Sequence, residues 1–217
     1  MIYLSWLAFY EGATDRAYFD VLIPRLLEEI ALQSGTQDII VPPMPVLRPG
    51  REPRSVDEIA KAACSAADAA HLLFIHADTG GRALEAELAL RAHQYCDAVF
   101  EMCQWPRDRC IMINPRHEME GWLLADSHAV AQAFGYRGNP GQLGLPGTAR
   151  AAERLADPKQ VFDDAFKRSR TRRRGGNNLA LLPAIAQSQS LPRLQQMASF
   201  RQFEMRLRRA LQSLGCI

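Results

Sequence analysis

The first 135 residues alternate between short apolar runs and longer amphipathic stretches. Continuous runs such as Leu72–Ile75 are typical of strands that are buried on both faces of a parallel sheet. Stretches with apolar residues about every 3.6 positions predict helices. In chain order we predict strands over 2–10, 39–41, 72–75 and 110–113, and helices over 14–33, 55–70, 84–100 and 118–134. This order predicts an α/β fold with a Rossmann-like, mostly parallel central sheet and right-handed crossovers.

The pattern changes after residue 135. Residues 136–146 are rich in glycine and proline and predict a loop, and the remainder predicts helices. We therefore divide the chain into a domain over 1–135 and a basic helical extension over 136–217 that packs on it.

Charge is distributed unevenly between the two parts of the chain. Residues 151–217 contain 13 Lys and Arg against 5 Asp and Glu, whereas residues 1–150 contain 13 against 19. An acidic N-terminal part followed by a basic C-terminal part is expected where a metal site lies beside a polyanion-binding surface. An amphipathic helical tail with a solvated basic face would give the same balance.

The five cysteines are odd in number and form no C-x-x-C pair. This usage predicts reduced thiols in a cytoplasmic protein, without a zinc site or a disulfide framework. No apolar run approaches membrane-spanning length, so we expect no membrane association. The sequence also lacks the G-x-x-x-x-G-K-[ST] and G-x-S-x-G motifs, which excludes a P-loop and a hydrolase elbow.

Acidic residues follow three of the predicted strands. Glu11 and Asp15 follow the first strand, Asp78 follows 72–75, and Glu118 and Glu120 follow 110–113. Ligands of open parallel sheets bind at the carboxyl ends of the strands. Carboxylates that meet there repel one another unless a cation lies between them, and their oxygens suit Mg²⁺ or Mn²⁺. Such ions promote phosphodiester hydrolysis.

Three motifs together resemble the TOPRIM superfamily over about residues 2–130. They are Glu-Gly-x-x-Asp at 11–15, an aspartate after the apolar strand, and Glu-x-Glu-x-Trp-Leu-Leu-Ala-Asp at 118–126. The nearest resemblance is to OLD-type nucleases and to small stand-alone TOPRIM proteins of bacterial defence loci. It implies that Glu11 and Asp78 are catalytic and that Mg²⁺ or Mn²⁺ is held by Glu11, Asp15, Asp78, Glu118 and Glu120. It also implies a partner ATPase and a role in defence against phage or mobile elements.

One position departs from the family pattern. His76 stands where the first aspartate of the family's Asp-x-Asp is expected. Histidine binds Mn²⁺ or a transition metal but suits Mg²⁺ poorly. Three alternatives follow. The metal preference is altered, or Asp78 and Glu11 together suffice to hold the metal. In the third, the site is degenerate and the protein binds its partner without catalysis. His76 itself is interpreted as an altered ligand, a substrate contact or a satisfied strand-end residue.

Not every acid needs a functional role. Asp15 is also what a helix favours in its first turn. Of Glu118 and Glu120 we expect one to be functional, and the spacing to Trp122 favours Glu120. We expect Asp126 to be structural.

A basic segment in the C-terminal part predicts phosphate contacts. Six of the eight residues over 167–174 are cationic, namely Lys167, Arg168, Arg170, Arg172, Arg173 and Arg174. Contacts of this kind dominate the affinity for nucleic acid. The alternative is a solvated loop.

The sequence therefore predicts a divalent-metal-dependent endonuclease that acts on DNA or RNA. The rival hypothesis is a non-catalytic subunit that binds nucleic acid or protein through a degenerate TOPRIM site. A nucleotidyl transferase is a third hypothesis, but it would need a nucleotide-binding element that the motifs do not supply.

Overall fold

The strands form two small, wholly parallel sheets. A computed structural model of the chain describes residues 1–47, 55–77, 85–169 and 178–217, with the backbone alone for 85–93 and 178. The strands are β1 (Ile2–Tyr3), β2 (Trp6–Phe9), β3 (Ile39–Ile40), β4 (Leu72–His76) and β5 (Cys110–Ile113). β4 lies between β2 and β5, and β1 pairs with β3. The predicted α/β class and parallel pairing are confirmed.

The first predicted strand, 2–10, is divided in two. Leu4 and Ser5 separate β1 from β2, and the Ser5 amide donates back to the carbonyl of Tyr3 at 3.1 Å. The Ser5 hydroxyl also bonds to Nδ1 of His71 at 2.8 Å, just before β4 begins. The chain therefore changes its pairing partner at this point, from β3 to β4.

Ten helices lie within the described ranges. They are α1 (Ala13–Ser34), α2 (Val56–Ser65), α3 (Glu85–Cys103), α4 (Met119–Leu123), α5 (Ser127–Ala133), α6 (Ala149–Ala152), α7 (Pro158–Ser169), α8 (Leu182–Ser188), α9 (Leu191–Leu194) and α10 (Ala198–Ser213). Short 3₁₀ turns occur at 67–69, 107–109, 140–143 and 178–181. At the start of α2, Ser55 and Glu58 form the capping box that the sequence predicts.

The single helix predicted over 118–134 is wrong. The structure has two helices there, α4 and α5, because Asp126 begins a new helix. Its carboxylate accepts hydrogen bonds from the amides of His128 and Ala129 at 3.2 and 3.4 Å. The same carboxylate accepts from the Ser190 amide at 3.0 Å and lies 3.4 Å from Arg193. The structural role expected of Asp126 is confirmed.

Alternate residues of the strands point to opposite faces of the sheet. On one face Trp6, Phe74 and Ile111 pack with α1, α4, α5 and the C-terminal helices in one hydrophobic core. We call this the aromatic face, because Trp122, Phe200 and Phe203 also lie in it. On the other face the buried residues are mostly small or aliphatic and pack with α2 and α3; they include Leu7, Ile59, Ala60, Ala63, Leu73, Ile75 and Met112.

Two disulfides join elements on this second face. The prediction of reduced thiols without a disulfide framework is therefore wrong. Cys64 of α2 pairs with Cys103 of α3, and Cys96 of α3 pairs with Cys110 of β5. Spacing along the chain does not reveal these pairs, because packing brings α3 against both neighbours. Cys216 is a buried free thiol. We call this side of the sheet the disulfide face.

Within the described ranges, no helix is both long enough and apolar enough to cross a membrane.

Candidate functional site

The carboxyl ends of β2, β4 and β5 meet at one edge of the sheet. Phe9 pairs with Ile75, and Ile75 pairs with Met112. Two positions beyond each of these residues lie Glu11, Ala77 and Asn114. Neighbouring strands are about 4.8 Å apart, so the register sets the backbone of Glu11 close to that of β4. Glu11 is exposed at this edge.

Asp15 lies inside the same edge, in the first turn of α1. Gly12 is the N-cap residue of α1, so the helix begins two residues after Glu11. Oδ2 of Asp15 lies 3.8 Å from Nδ1 of His76. Both side chains are buried. This is an ion-pair distance rather than a hydrogen bond.

His76 is the last residue of β4 and points to the aromatic face. Its ring centroid is 4.9 Å from that of Phe19. The residue that departs from the Asp-x-Asp pattern is therefore adjacent to Asp15, one of the predicted acidic ligands.

The segment after β5 contributes two buried oxygens. In the described part of the chain, neither Oδ1 of Asn114 nor Oε2 of Glu118 has a hydrogen-bond partner. Glu118 precedes α4 as its N-cap residue but makes no side-chain cap. Unpaired buried oxygens are costly, so such atoms mark places where a cation, a water or a ligand donor is expected.

Glu120 is half-buried in the first turn of α4. The spacing to Trp122 favours Glu120 over Glu118, whereas the unpartnered buried oxygen belongs to Glu118. Asn114 is not among the predicted site residues. Its position directly after a buried strand could have identified it, but the sequence prediction considered only carboxylate side chains and Asn114 has an amide.

Carboxylates at this edge of the sheet are possible ligands for a divalent cation. Carboxylate oxygens from Glu11, Glu118 and Glu120 are chemically suited to Mg²⁺. Among the described side chains, however, no three His, Cys, Asp or Glu residues converge closely enough to hold a metal ion. Asp78 lies outside the described residues. The described residues by themselves therefore do not fit a metal centre.

The basic segment is only partly within the described ranges. Lys167 forms an ion pair with Asp164 of the same helix at 3.1 Å. Arg168 donates from Nη1 to the Leu143 carbonyl at 3.1 Å, so this guanidinium also fastens α7 to the preceding loop. The other four predicted contacts, Arg170, Arg172, Arg173 and Arg174, lie outside the described residues.

Comparison with known proteins gives no relative. No protein-family model, no curated protein and no solved structure matches this chain.

Proposed function

We propose that this chain is a divalent-metal-dependent endonuclease of the TOPRIM kind, which hydrolyses phosphodiesters of DNA or RNA at the carboxyl edge of the sheet. The observation that carries the proposal is that Glu11, His76 and the Asn114–Glu120 segment lie at the carboxyl ends of three adjacent parallel strands. This is the edge at which open parallel sheets bind their ligands.

The residues have different roles in the proposal. Glu11 and Asp78 are the essential pair, and Glu118 is the further oxygen ligand because its buried Oε2 has no partner among the described residues. Asp15 orients His76 instead of reaching the cation directly, since the two side chains are already 3.8 Å apart. Glu120 remains a candidate ligand. When bound, Mg²⁺ or Mn²⁺ would activate water and stabilise the leaving oxygen.

The proposal includes the biological setting that the resemblance implies. The protein would act in the cytoplasm, where its substrate is found, with a partner ATPase in defence against phage or mobile elements. The cysteines do not support a cytoplasmic location, because four of the five are paired in disulfides. Disulfides of a cytoplasmic protein are usually catalytic or redox-sensing.

A second function is favoured by the neighbours of His76. His76 puts an imidazole beside Asp15 where the family has a carboxylate ligand, and the described side chains include no trio that could hold a metal. Under this alternative the protein binds nucleic acid or a partner protein without cleaving it.

Cleavage assays separate the two functions. Purified protein is incubated with plasmid, single-stranded DNA and tRNA, in Mg²⁺ or in Mn²⁺. We expect Glu11→Gln and Asp78→Asn to reduce cleavage more than roughly 100-fold, because even residues that only orient a metal ligand cost 10–100-fold. Both variants should unfold no earlier than the wild type without metal, since each removes one repelling charge.

Glu101→Gln is the matched control, because Glu101 is exposed on α3, away from this edge. Full cleavage by both site variants would remove the assignment. A wild type that binds nucleic acid but cleaves nothing with either metal would establish the binding subunit. His76→Asp adds a direct test of metal preference: it should shift activity from Mn²⁺ toward Mg²⁺.

A further inference from the structure

Four arginines line one cavity next to the segment that follows β5. The cavity has a volume of about 300 Å³, and its lining includes Arg116, Arg150, Glu153, Arg154 and Arg201. Four guanidinium groups and one carboxylate give this lining a formal charge of +3. The arginines come from the β5–α4 loop, the α6 region and α10, so the cluster arises only in the folded chain.

The single carboxylate of the cavity has partners other than the arginines. Glu153 accepts from the amides of Ala198 and Ser199 at 2.9 and 2.7 Å, and from the Ser199 hydroxyl at 2.7 Å. These bonds cap the N-terminus of α10, where negative charge is favoured. Within the parts of the chain that are described, neither Arg150 nor Arg154 has an ion-pair partner. Positive charge therefore remains available in the cavity.

Hydrogen bonds connect Glu153, which lines the cavity, to the protein core. The hydroxyl of Ser199 that donates to Glu153 also accepts from Nε1 of Trp122 at 2.9 Å. Trp122 is fully buried in the aromatic face. Arg201 is held by a bond from its Nη1 to the Gln195 carbonyl at 3.0 Å.

We infer that this arginine cavity binds the phosphodiester backbone of the nucleic-acid substrate. The inference rests on the proposed function and identifies a phosphate subsite for it. Arginine is the side chain best suited to such a site, because its planar guanidinium donates two parallel hydrogen bonds to phosphate oxygens.

Two features favour an extended strand over a single phosphate ion. A second cavity, of about 650 Å³, continues along α10 from the shared residues Ala198 and Arg201 to Arg209, and its lining also includes Glu204, which pairs with Arg208 at 2.8 Å. At the other end, Arg116 lies two residues before Glu118, so their Cα atoms are at most roughly 7 Å apart. A strand held in the arginine cavity therefore passes from α10 toward the acidic edge of the sheet.

Salt-dependent binding tests the inference without any cleavage. The double variant Arg150→Gln, Arg154→Gln is compared with Arg137→Gln, Lys159→Gln, which neutralises two exposed cations outside the cavity. The probe is a fluorescent 20-nucleotide single strand of DNA, measured by anisotropy without divalent metal over a range of salt concentrations. Two lost contacts should lower the log–log salt slope by about 1.4 and weaken binding about 25-fold at 0.1 M salt. The control variant should keep the wild-type slope.

Competitors distinguish the sources of negative charge. Unlabelled single strands should displace the probe, whereas inorganic phosphate and poly-glutamate at equal charge should not. The inference is overturned if the double variant keeps the wild-type slope, if poly-glutamate competes equally well, or if the wild type does not bind the probe. Failure of the proposed function looks different: no cleavage with either metal, while the salt slope still depends on Arg150 and Arg154.

Discussion

The two faces of the central sheet are stabilised by different means. The aromatic face is filled by large rings: Trp122 lies 5.0 Å from Phe200, 5.5 Å from Phe203 and 5.9 Å from Phe19, between ring centroids. The disulfide face is packed by small and aliphatic residues of α2 and β4, and covalent bonds join α3 to both of its neighbours. Buried aromatic area stabilises one face, and disulfides add to aliphatic packing on the other.

The contrast extends to polar groups. On the aromatic face the buried hydroxyl of Tyr18 donates to Oε1 of Gln189 at 2.6 Å, and Gln189 donates to the Trp122 carbonyl at 2.5 Å. This chain of bonds connects α1, α4 and the end of α8. On the disulfide face, Nε1 of Trp105 is buried and has no partner among the described residues. The aromatic face therefore contains side-chain hydrogen bonds that join elements distant in sequence, and His76 and Asp15 belong to this face.

The largest expected effect comes from truncating the central ring of the aromatic face. Trp122→Ala should cost about 3–5 kcal/mol of unfolding free energy, because it leaves a cavity and removes the donor to Ser199. The matched substitution on the other face, Trp105→Ala, should cost about 3 kcal/mol or less, since its Nε1 has no hydrogen bond to any described residue. Urea denaturation measures both. Equal costs would show that the directional contacts do not distinguish the faces.

Each disulfide, taken singly, gives the next largest effect. The sequence separations of 39 and 14 residues predict stabilisation of about 4 kcal/mol for Cys64–Cys103 and about 3 kcal/mol for Cys96–Cys110, by restriction of the unfolded chain. Reductant should therefore lower the unfolding free energy of the wild type. It should leave unchanged a variant in which all four cysteines are replaced by alanine. Rapid alkylation of these four cysteines in the native, unreduced protein would contradict the pairing.

The smallest effect is confined to alkaline pH and to the aromatic face. Burial raises the pKa of Tyr18 well above its usual value. The unfolded chain then loses this proton near pH 10 while the folded chain keeps it, so stability is fully present below pH 10 and falls above it. The slope from this group is about −1.4 kcal/mol per pH unit. In Tyr18→Phe that component should be absent, and the wild type and variant curves of unfolding free energy against pH should converge above pH 10. Parallel curves would show that Tyr18 ionises readily in the folded protein.

Much of the scaffold could be predicted because its signals are local. Leu72–Ile75 and Cys110–Ile113 are continuous apolar runs, and both form strands at the predicted places. The capping box of Ser55 and Glu58 is likewise local, since its hydrogen bonds join residues three apart. The helix prediction over 118–134 failed where local periodicity competed with a cap: Asp126 stabilises the start of a second helix and binds Ser190, which is 64 residues distant.

In the candidate site, too, some features follow from local sequence and others only from tertiary packing. The sequence by itself determined that acids follow the parallel strands, because the strand ends can be identified from local apolar patterns. Only the tertiary structure decided that Asp15 lies beside His76, that Glu118 has a buried oxygen without a partner, and which cysteines pair. Only the fold, too, assembles Arg116, Arg150, Arg154 and Arg201 around one cavity. The two disulfides and the Asp15–His76 pair join residues 14 to 61 positions apart, and the cavity brings Arg116 near Arg201, 85 positions away. No local propensity encodes such separations, since they are set by how helices and strands pack.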